Sequence, residues 1–206
     1  MCIKLNMNYI PIEILQHILS LSDFIQQIRL RQVSKPFYNY LEIHDFYNIN
    51  QKYLDILSDQ IISNYPQITQ LNAQSNPKIT NVNHLKRLTK LDASGYDCGI
   101  GDSGIIYINP IQLDSSDNHK ITNIGHMIKL EKLNASDRNC GIDDSGISKL
   151  NLRKLNARNN QKITNVNHMT KLKKLQAGGW CGIGDSGIIL VNLRELDAIH
   201  NSKITK

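Results

Sequence analysis

The chain has 206 residues, 40% of them apolar, and 24 Lys and Arg set against 18 Asp and Glu leave a formal charge of +6. That apolar content is enough for a buried core, which excludes a wholly disordered chain, and the scattered positive excess points to an acidic partner at most. No stretch approaches the roughly 20 apolar residues that span a bilayer, and the opening Met1-Cys2-Ile3-Lys4-Leu5-Asn6 lacks the apolar run of a signal peptide, so no membrane partner is expected.

From Tyr9 the sequence runs Tyr-Ile-Pro-Ile-Glu-Ile-Leu-Gln-His-Ile-Leu-Ser-Leu. Pro11 and Glu13 fall in an opening turn, where a missing N–H and a negative charge suit a helix start, and Ile14, Leu15, Ile18 and Leu19 share one face. Asp23 caps a second predicted helix carrying Phe24, Ile25 and Ile28, and Ser34 caps a third carrying Phe37, Tyr40 and Leu41. So small a helical core needs another surface to pack on. Ile10-Pro11-Ile12-Glu13-Ile14, Ile18-Leu19, Asp23, Val33-Ser34-Lys35 and Phe37 together resemble the F-box over Tyr9 to Leu41, with Ile10 where the family usually has Leu and Phe24 where it often has Pro. The resemblance implies docking on the linker subunit of cullin-RING ubiquitin ligases. Ile10, Pro11, Ile14, Leu15, Ile18, Leu19, Val33, Lys35 and Phe37 would divide between the segment's own core and that interface.

Residues 42–67 read as a connector, helical around 53–57 and at Ile61-Ile62, whose Leu57, Ile61 and Ile62 would cap the apolar edge of a repeat array. The array begins at Ile68. Leu71, Leu91, Leu113, Leu133, Leu155, Leu175 and Leu196 are separated by 20, 22, 20, 22, 20 and 21 residues, so the true period is a pair of alternating units. Each Leu is followed two places on by Ala or Ser. In the first unit type an asparagine comes three residues later, at Asn76, Asn118, Asn160 and Asn201. Leu-x-Ala-x-x-Asn resembles the leucine-rich repeat, and Cys-x-Ile-x-Asp-x-Gly-Ile of the second type resembles its cysteine-containing subclass, in units shorter than usual. Each Leu-x-Ala is expected to form a short strand stacked in parallel on the next, about 4.8 Å away. The asparagines would satisfy backbone groups in a ladder, with only 3₁₀ turns and loops on the back.

Four tempting motifs do not lead to chemistry. Gly99-Ile-Gly101-Asp-Ser-Gly104 and Gly182 to Gly187 fit the G-x-G-x-x-G of phosphate-cradling loops, but the next strand arrives too soon for a βαβ unit, and the middle copy has Asp143 at its second glycine. Gly-Asp-Ser-Gly resembles a serine nucleophile loop, yet a triad is unique and this loop comes in three copies. Asp102, Asp144 and Asp185 are expected to bond their own turns. The columns His84, His126, His168 and Cys98, Cys140, Cys181 place equivalent residues two units apart, roughly 9 to 10 Å, too far to share a zinc or form a disulfide. No catalytic residue, cofactor or metal is therefore expected, and the cysteines read as reduced, buried thiols of an intracellular protein.

Residues flanking each strand leucine should face the concave side. Lys90, Lys132, Lys154 and Lys174 form one row, Asp92, Asn134 and Asn156 another, and Arg158 lies beside them, a candidate target-binding surface. It is poor in the aromatic platforms that single-stranded nucleic acid needs, so no nucleic-acid partner is expected. Trp180, in a shortened unit, stands out as a contact point. The expected fold class is α/β: a helical F-box over residues 1–41, the connector over 42–67, and a leucine-rich-repeat solenoid over 68–206 with a parallel sheet on its concave face. Its seventh unit breaks off at Thr205-Lys206, so the array reads as uncapped there or as a piece of a longer one. The function expected is that of a non-catalytic adaptor bringing an unknown target protein to a ubiquitin ligase. The alternative is a plain scaffold whose front helices only cap the array. The absent signal run and the reduced thiols put the protein in the cytoplasm, with the nucleus open to it as well; the heavy use of Ile, Asn and Lys resembles the product of an AT-rich genome, a protist's or a large DNA virus's, and in the viral case the compartment is the host cell's.

Overall fold

The structure is a computed structural model that describes residues 44–49 and 51–205. The three helices expected between Tyr9 and Leu41, with every residue assigned to the linker interface, lie outside the described residues. Those described form a parallel sheet of eight strands in strict chain order: β1 (Asp45–Phe46), β2 (Gln70–Asn72), β3 (Lys90–Asp92), β4 (Gln112–Asp114), β5 (Lys132–Asn134), β6 (Lys154–Asn156), β7 (Lys174–Gln176) and β8 (Glu195–Asp197). The leucine count gives seven strands. The eighth is β1, which pairs Phe46 with Leu71 and so uses an aromatic residue where every later strand has leucine.

The register runs Leu71 to Leu91 to Leu113 and on to Leu196, so the leucines form one column. Period-two alternation sends each leucine and the small residue two places on into the interior, and from β2 to β7 both are buried. Leu196 of β8, with a strand on one side only, is 39% exposed. Opposite the sheet the chain turns back through single helical turns: α1 (Gln51–Leu54), α2 (Asp59–Ile62), α3 (Asp102–Ile105), α4 (Asp144–Ile147) and a 3₁₀ turn at Asp185–Gly187. Ile105 and Ile147 of these turns fill the space behind the leucine column together with Ile79, Ile121 and Ile163. Leu57 and Ile62 of the connector are also buried, and Ile61 packs half-buried against the same core.

The asparagine ladder forms as expected. Asn118 Nδ2 donates to Ala93 O (2.7 Å) and Ile100 O (3.0 Å) of the preceding unit, while its Oδ1 accepts the Lys120 amide at 2.8 Å. Asn160 and Asn201 repeat the arrangement one pair further along, and Asn76 makes it to Leu54 O and Leu57 O of the connector.

Asp102, Asp144 and Asp185 depart from the expectation of local capping. Asp102 accepts the amides of Thr122 (2.8 Å) and Asn123 (3.0 Å) and the Thr122 hydroxyl (2.6 Å), all from the unit ahead. Asp144 does the same to Thr164 and Asn165, and Asp185 grips Thr205. Local capping falls instead to Asp143, which accepts the Gly146 amide at 3.0 Å and the Ser145 hydroxyl at 2.7 Å; those two bonds, the hydroxyl foremost, hold its carboxyl below the usual range. Asp59 makes the same forward grip on Thr80 and Asn81, so the connector carries a degenerate copy of the second unit type.

The seams between units therefore alternate. From a second-type to a first-type unit run the Asp grip, the Asn ladder, the Lys120 ammonium on Cys98 O (2.8 Å) and His126 Nε2 on Ile105 O (3.0 Å). From a first-type to a second-type unit the side-chain bonds are fewer: Asn83 Nδ2 reaches Ser103 O, and its Oδ1 takes the Tyr107 amide, both at 2.8 Å. The corresponding position in the next pair is Gly125, which has no side chain to do this.

Candidate functional site

The outward positions of the strands make an open, polar face, and the structure sorts its residues into two kinds. Those directly after the buried leucine are largely structural. Asn72, Asp92, Asp114, Asn134, Asn156 and Asp197 each accept, through Oδ1, the backbone amide two residues on, at 2.9 to 3.2 Å. This Asx turn bends the chain out of the strand. Asp92 is buried, and its Oδ1 also accepts the Ser94 hydroxyl at 2.6 Å. Burial raises its carboxyl above the usual range; the Ser94 bonds oppose that, and the neighbouring Asp114 adds to it. Asp114 Oδ2 accepts Asn134 Nδ2 at 2.9 Å. Of the three residues expected in this row, Asp92 is thus withdrawn into the structure, while Asn134 and Asn156 are half-exposed with their oxygens engaged.

The row before the leucine remains available. Lys132, Lys154 and Lys174 are direct neighbours on β5, β6 and β7, and Lys90 stands apart on β3 with Gln112 between. Like charges facing one another across adjacent strands oppose pairing, so the three together are a cost the stack tolerates. Lys174 offsets its share with Glu195 on β8, Nζ to Oε1 at 2.5 Å. Lys90 lies over the ring of Tyr47, 3.4 Å from its centroid. Lys132, Lys154 and Arg158 keep their charges free of ion pairs among the described residues.

Tyr47 is a residue that sequence reasoning missed. It follows β1, whose existence no leucine announces, and it roofs a shallow cleft of about 180 Å³ over β3 to β5 with Asp114 and Asn134. Its hydroxyl is raised above the ordinary tyrosine range by burial first and by the charges of Asp92 and Asp114 next. A wider groove of about 610 Å³ lies over β6 to β8, bordered by Lys154, Asn156, Lys174 and Asp197.

The motifs set aside on sequence grounds are architectural. A Cβ on Gly99 would meet Ile79 O and Pro77 O at 2.6 Å, and its own amide donates to Asn76 O, so the loop offers packed carbonyls and spent amides where a phosphate would need free donors. The third glycine of each copy is pressed in the same way against a threonine carbonyl, Thr80 O for Gly104 and Thr122 O for Gly146. His126 and His168 bond the carbonyls of Ile105 and Ile147, and the Ser145 hydroxyl goes to Asp143. Cys98, Cys140 and Cys181 are free and buried, and burial pushes the first two thiols up to about 11. Among the described residues no group of three or more His, Cys, Asp or Glu could hold a metal ion, and no helix is long and apolar enough to cross a membrane.

The family model of the F-box domain matches residues 8–49. The match takes in the helical segment read from the sequence and continues past Leu41 through β1, so the end of the F-box domain supplies the first strand of the sheet. F-box domains bind the linker subunits of ubiquitin ligases, and their presence marks an adaptor role in general. No curated protein matches the chain.

Proposed function

We propose, on the premise that residues 8–49 are an F-box domain, that this protein is a non-catalytic adaptor of an SCF-type ubiquitin ligase. The F-box docks on the linker subunit, and the repeats hold a target protein on their open face. One observation carries the reading: a domain whose family binds linker subunits runs without a break into a stack with an exposed polar face, sharing a strand with it. Ile10, Pro11, Ile14, Leu15, Ile18, Leu19, Val33, Lys35 and Phe37 divide between the domain's core and the linker interface. On the open face Lys132, Lys154, Lys174 and Arg158 meet the target, with Lys90, Asn134 and Asn156 at its margin and Asp92 shaping the strand end beneath. Residues 42–67 cap the front edge of the array that begins at residue 68.

Such an adaptor supplies proximity. It holds lysines of the target near an activated conjugating enzyme, and raising effective concentration is the whole of its contribution to rate. Co-purification of the linker subunit with the full chain tests this. Replacement of Ile10 and Pro11 by Ala and Leu19 by Asp is expected to abolish recovery in a protein that still folds, and unchanged recovery overturns the proposal.

A further inference from the structure

The array's single tryptophan is 57% exposed, and three separate devices hold it in place. Its loop is one residue shorter than its counterpart, Ala177 to Cys181 against Ala135 to Cys140. Gly179 takes the left-handed conformation (φ 63°) against the side chain of Asn159, where a Cβ would collide. Asn159 Oδ1 then accepts the Trp180 amide at 3.2 Å, and the Arg138 guanidinium from two units back sits over the indole, its Cζ 3.3 Å from the ring centroid. An exposed indole fixed in this way loses little freedom on binding, and Trp and Arg are the residue types that dominate interface energetics.

The surroundings select for charge. Arg138 covers part of the tryptophan and Arg158 precedes the Asn159 that holds its amide; both arginines are exposed, and neither forms an ion pair among the described residues. The nearby acids each have an oxygen engaged locally rather than on an arginine: Asp137 Oδ2 accepts the Ser136 hydroxyl, Asp117 Oδ1 accepts Asn139 Nδ2 at 2.7 Å, and Asp197 Oδ1 accepts the Ile199 amide. Lys132 and Lys154 continue the positive field along β5 and β6. A stacked guanidinium keeps its in-plane N–H groups free for a carboxylate, in the bidentate geometry that arginine favours.

We infer that Trp180, Arg138 and Arg158 form the anchor for an acidic, apolar-punctuated segment of the target protein. Carboxylates pair with the two guanidiniums, and an aliphatic or aromatic side chain rests on the uncovered indole. The inference rests on the adaptor reading only in naming the occupant a target.

The sole tryptophan makes the test direct, because emission excited at the red edge of indole absorption, beyond that of the eight tyrosines, reports this site alone. The full chain is titrated with a short peptide alternating Glu and Leu, and with Gln-Leu and Lys-Leu versions. The expected result is a saturable change in tryptophan emission with the Glu-Leu peptide only, weakened about tenfold in Arg138→Gln and in Arg158→Gln. No saturable change, an equal response to the Gln-Leu peptide, or unchanged affinity in both variants overturns the inference. Linker co-purification by the unsubstituted chain is scored separately: its failure beside intact peptide binding sinks the ligase reading and leaves the anchor standing, and the reverse result does the opposite.

Discussion

Asp102 and Thr122 lie twenty residues apart in adjoining units, and the carboxylate of the first takes both the amide and the hydroxyl of the second, at 2.8 and 2.6 Å. With the Asn123 amide this makes three hydrogen bonds to one ionised group, each stronger than a neutral pair. Asp102→Ala is expected to destabilise the chain by roughly 1–3 kcal/mol, read as a lower denaturant midpoint at unchanged slope. Asp143→Ala removes only a local cap and is expected to cost about 1 kcal/mol. If the two variants lose the same stability, the grip across units is not what sets Asp102 apart.

Asn118 is fully buried, and a replacement must match its donors and acceptor as well as its size. Asn118→Ala leaves Ala93 O, Ile100 O and the Lys120 amide without partners, for an expected loss of about 3 kcal/mol or more. Asn118→Asp keeps the shape but turns an acceptor toward two carbonyls and buries a charge, so it should destabilise at least as much as Ala. Urea melts of the two variants decide the point, and an Asp variant near the stability of the original contradicts the ladder.

Gly125 and Gly146 lie in one pair of units and predict opposite outcomes. A Cβ on Gly125 would have ordinary contacts, the nearest being Asn123 Oδ1 at 3.5 Å, whereas one on Gly146 would collide with Thr122 O. Gly125→Asn is expected to restore the bracket that Asn83 and Asn167 make elsewhere, raising stability by up to about 1 kcal/mol. Gly146→Ala should lower it by roughly 1–3 kcal/mol. Thermal melts showing both substitutions neutral would mean the units are looser than their packing implies.

The Asp92 carboxyl is raised in the folded state, by burial first. A carboxyl raised on folding binds protons more readily in the native chain, so its contribution is fully present below the unfolded value and is lost as pH rises through the folded one. At neutral pH the charge of Asp92 is therefore a liability. Asp92→Asn keeps an oxygen for Ser94, as Asn72 does for Gln74 and Asn134 for Ser136. It is expected to raise the melting temperature at neutral pH, with the advantage shrinking as pH falls through the carboxylate range. A variant less stable at neutral pH would refute the sign.

The architecture was legible because it is written in residue types: leucines spaced 20, 22, 20, 22, 20 and 21 residues apart, and an asparagine five residues after every second one, state which positions face inward. What stayed hidden involves direction. The string Asp-Ser-Gly is equally compatible with an aspartate serving its own turn and one serving the next unit, and only the stacking shows that Asp102 reaches forward while Asp143 caps locally. β1 and Asp59 went unrecognised because the connector keeps the physics of a unit without its vocabulary: Phe46 does the work of leucine, and no glycine marks the turn. The outward Asx row looked like a wet surface because a half-exposed Asn reads the same whether its oxygen is free or bonded two residues on.

The alternation of seams carries a mechanical meaning. Rungs joined through Asp102, Asn118, Lys120 and His126 share more side-chain bonds than rungs joined through Asn83 and Cys98, and at Gly125 the asparagine bracket is missing, leaving such bonds as those of Asn134 and Asn139 to Asp114 and Asp117. Under load, or during spontaneous fraying, the stack is expected to part at the lighter joints and shed paired rungs as packets, which amide exchange would show as protection stepping along the axis every second unit.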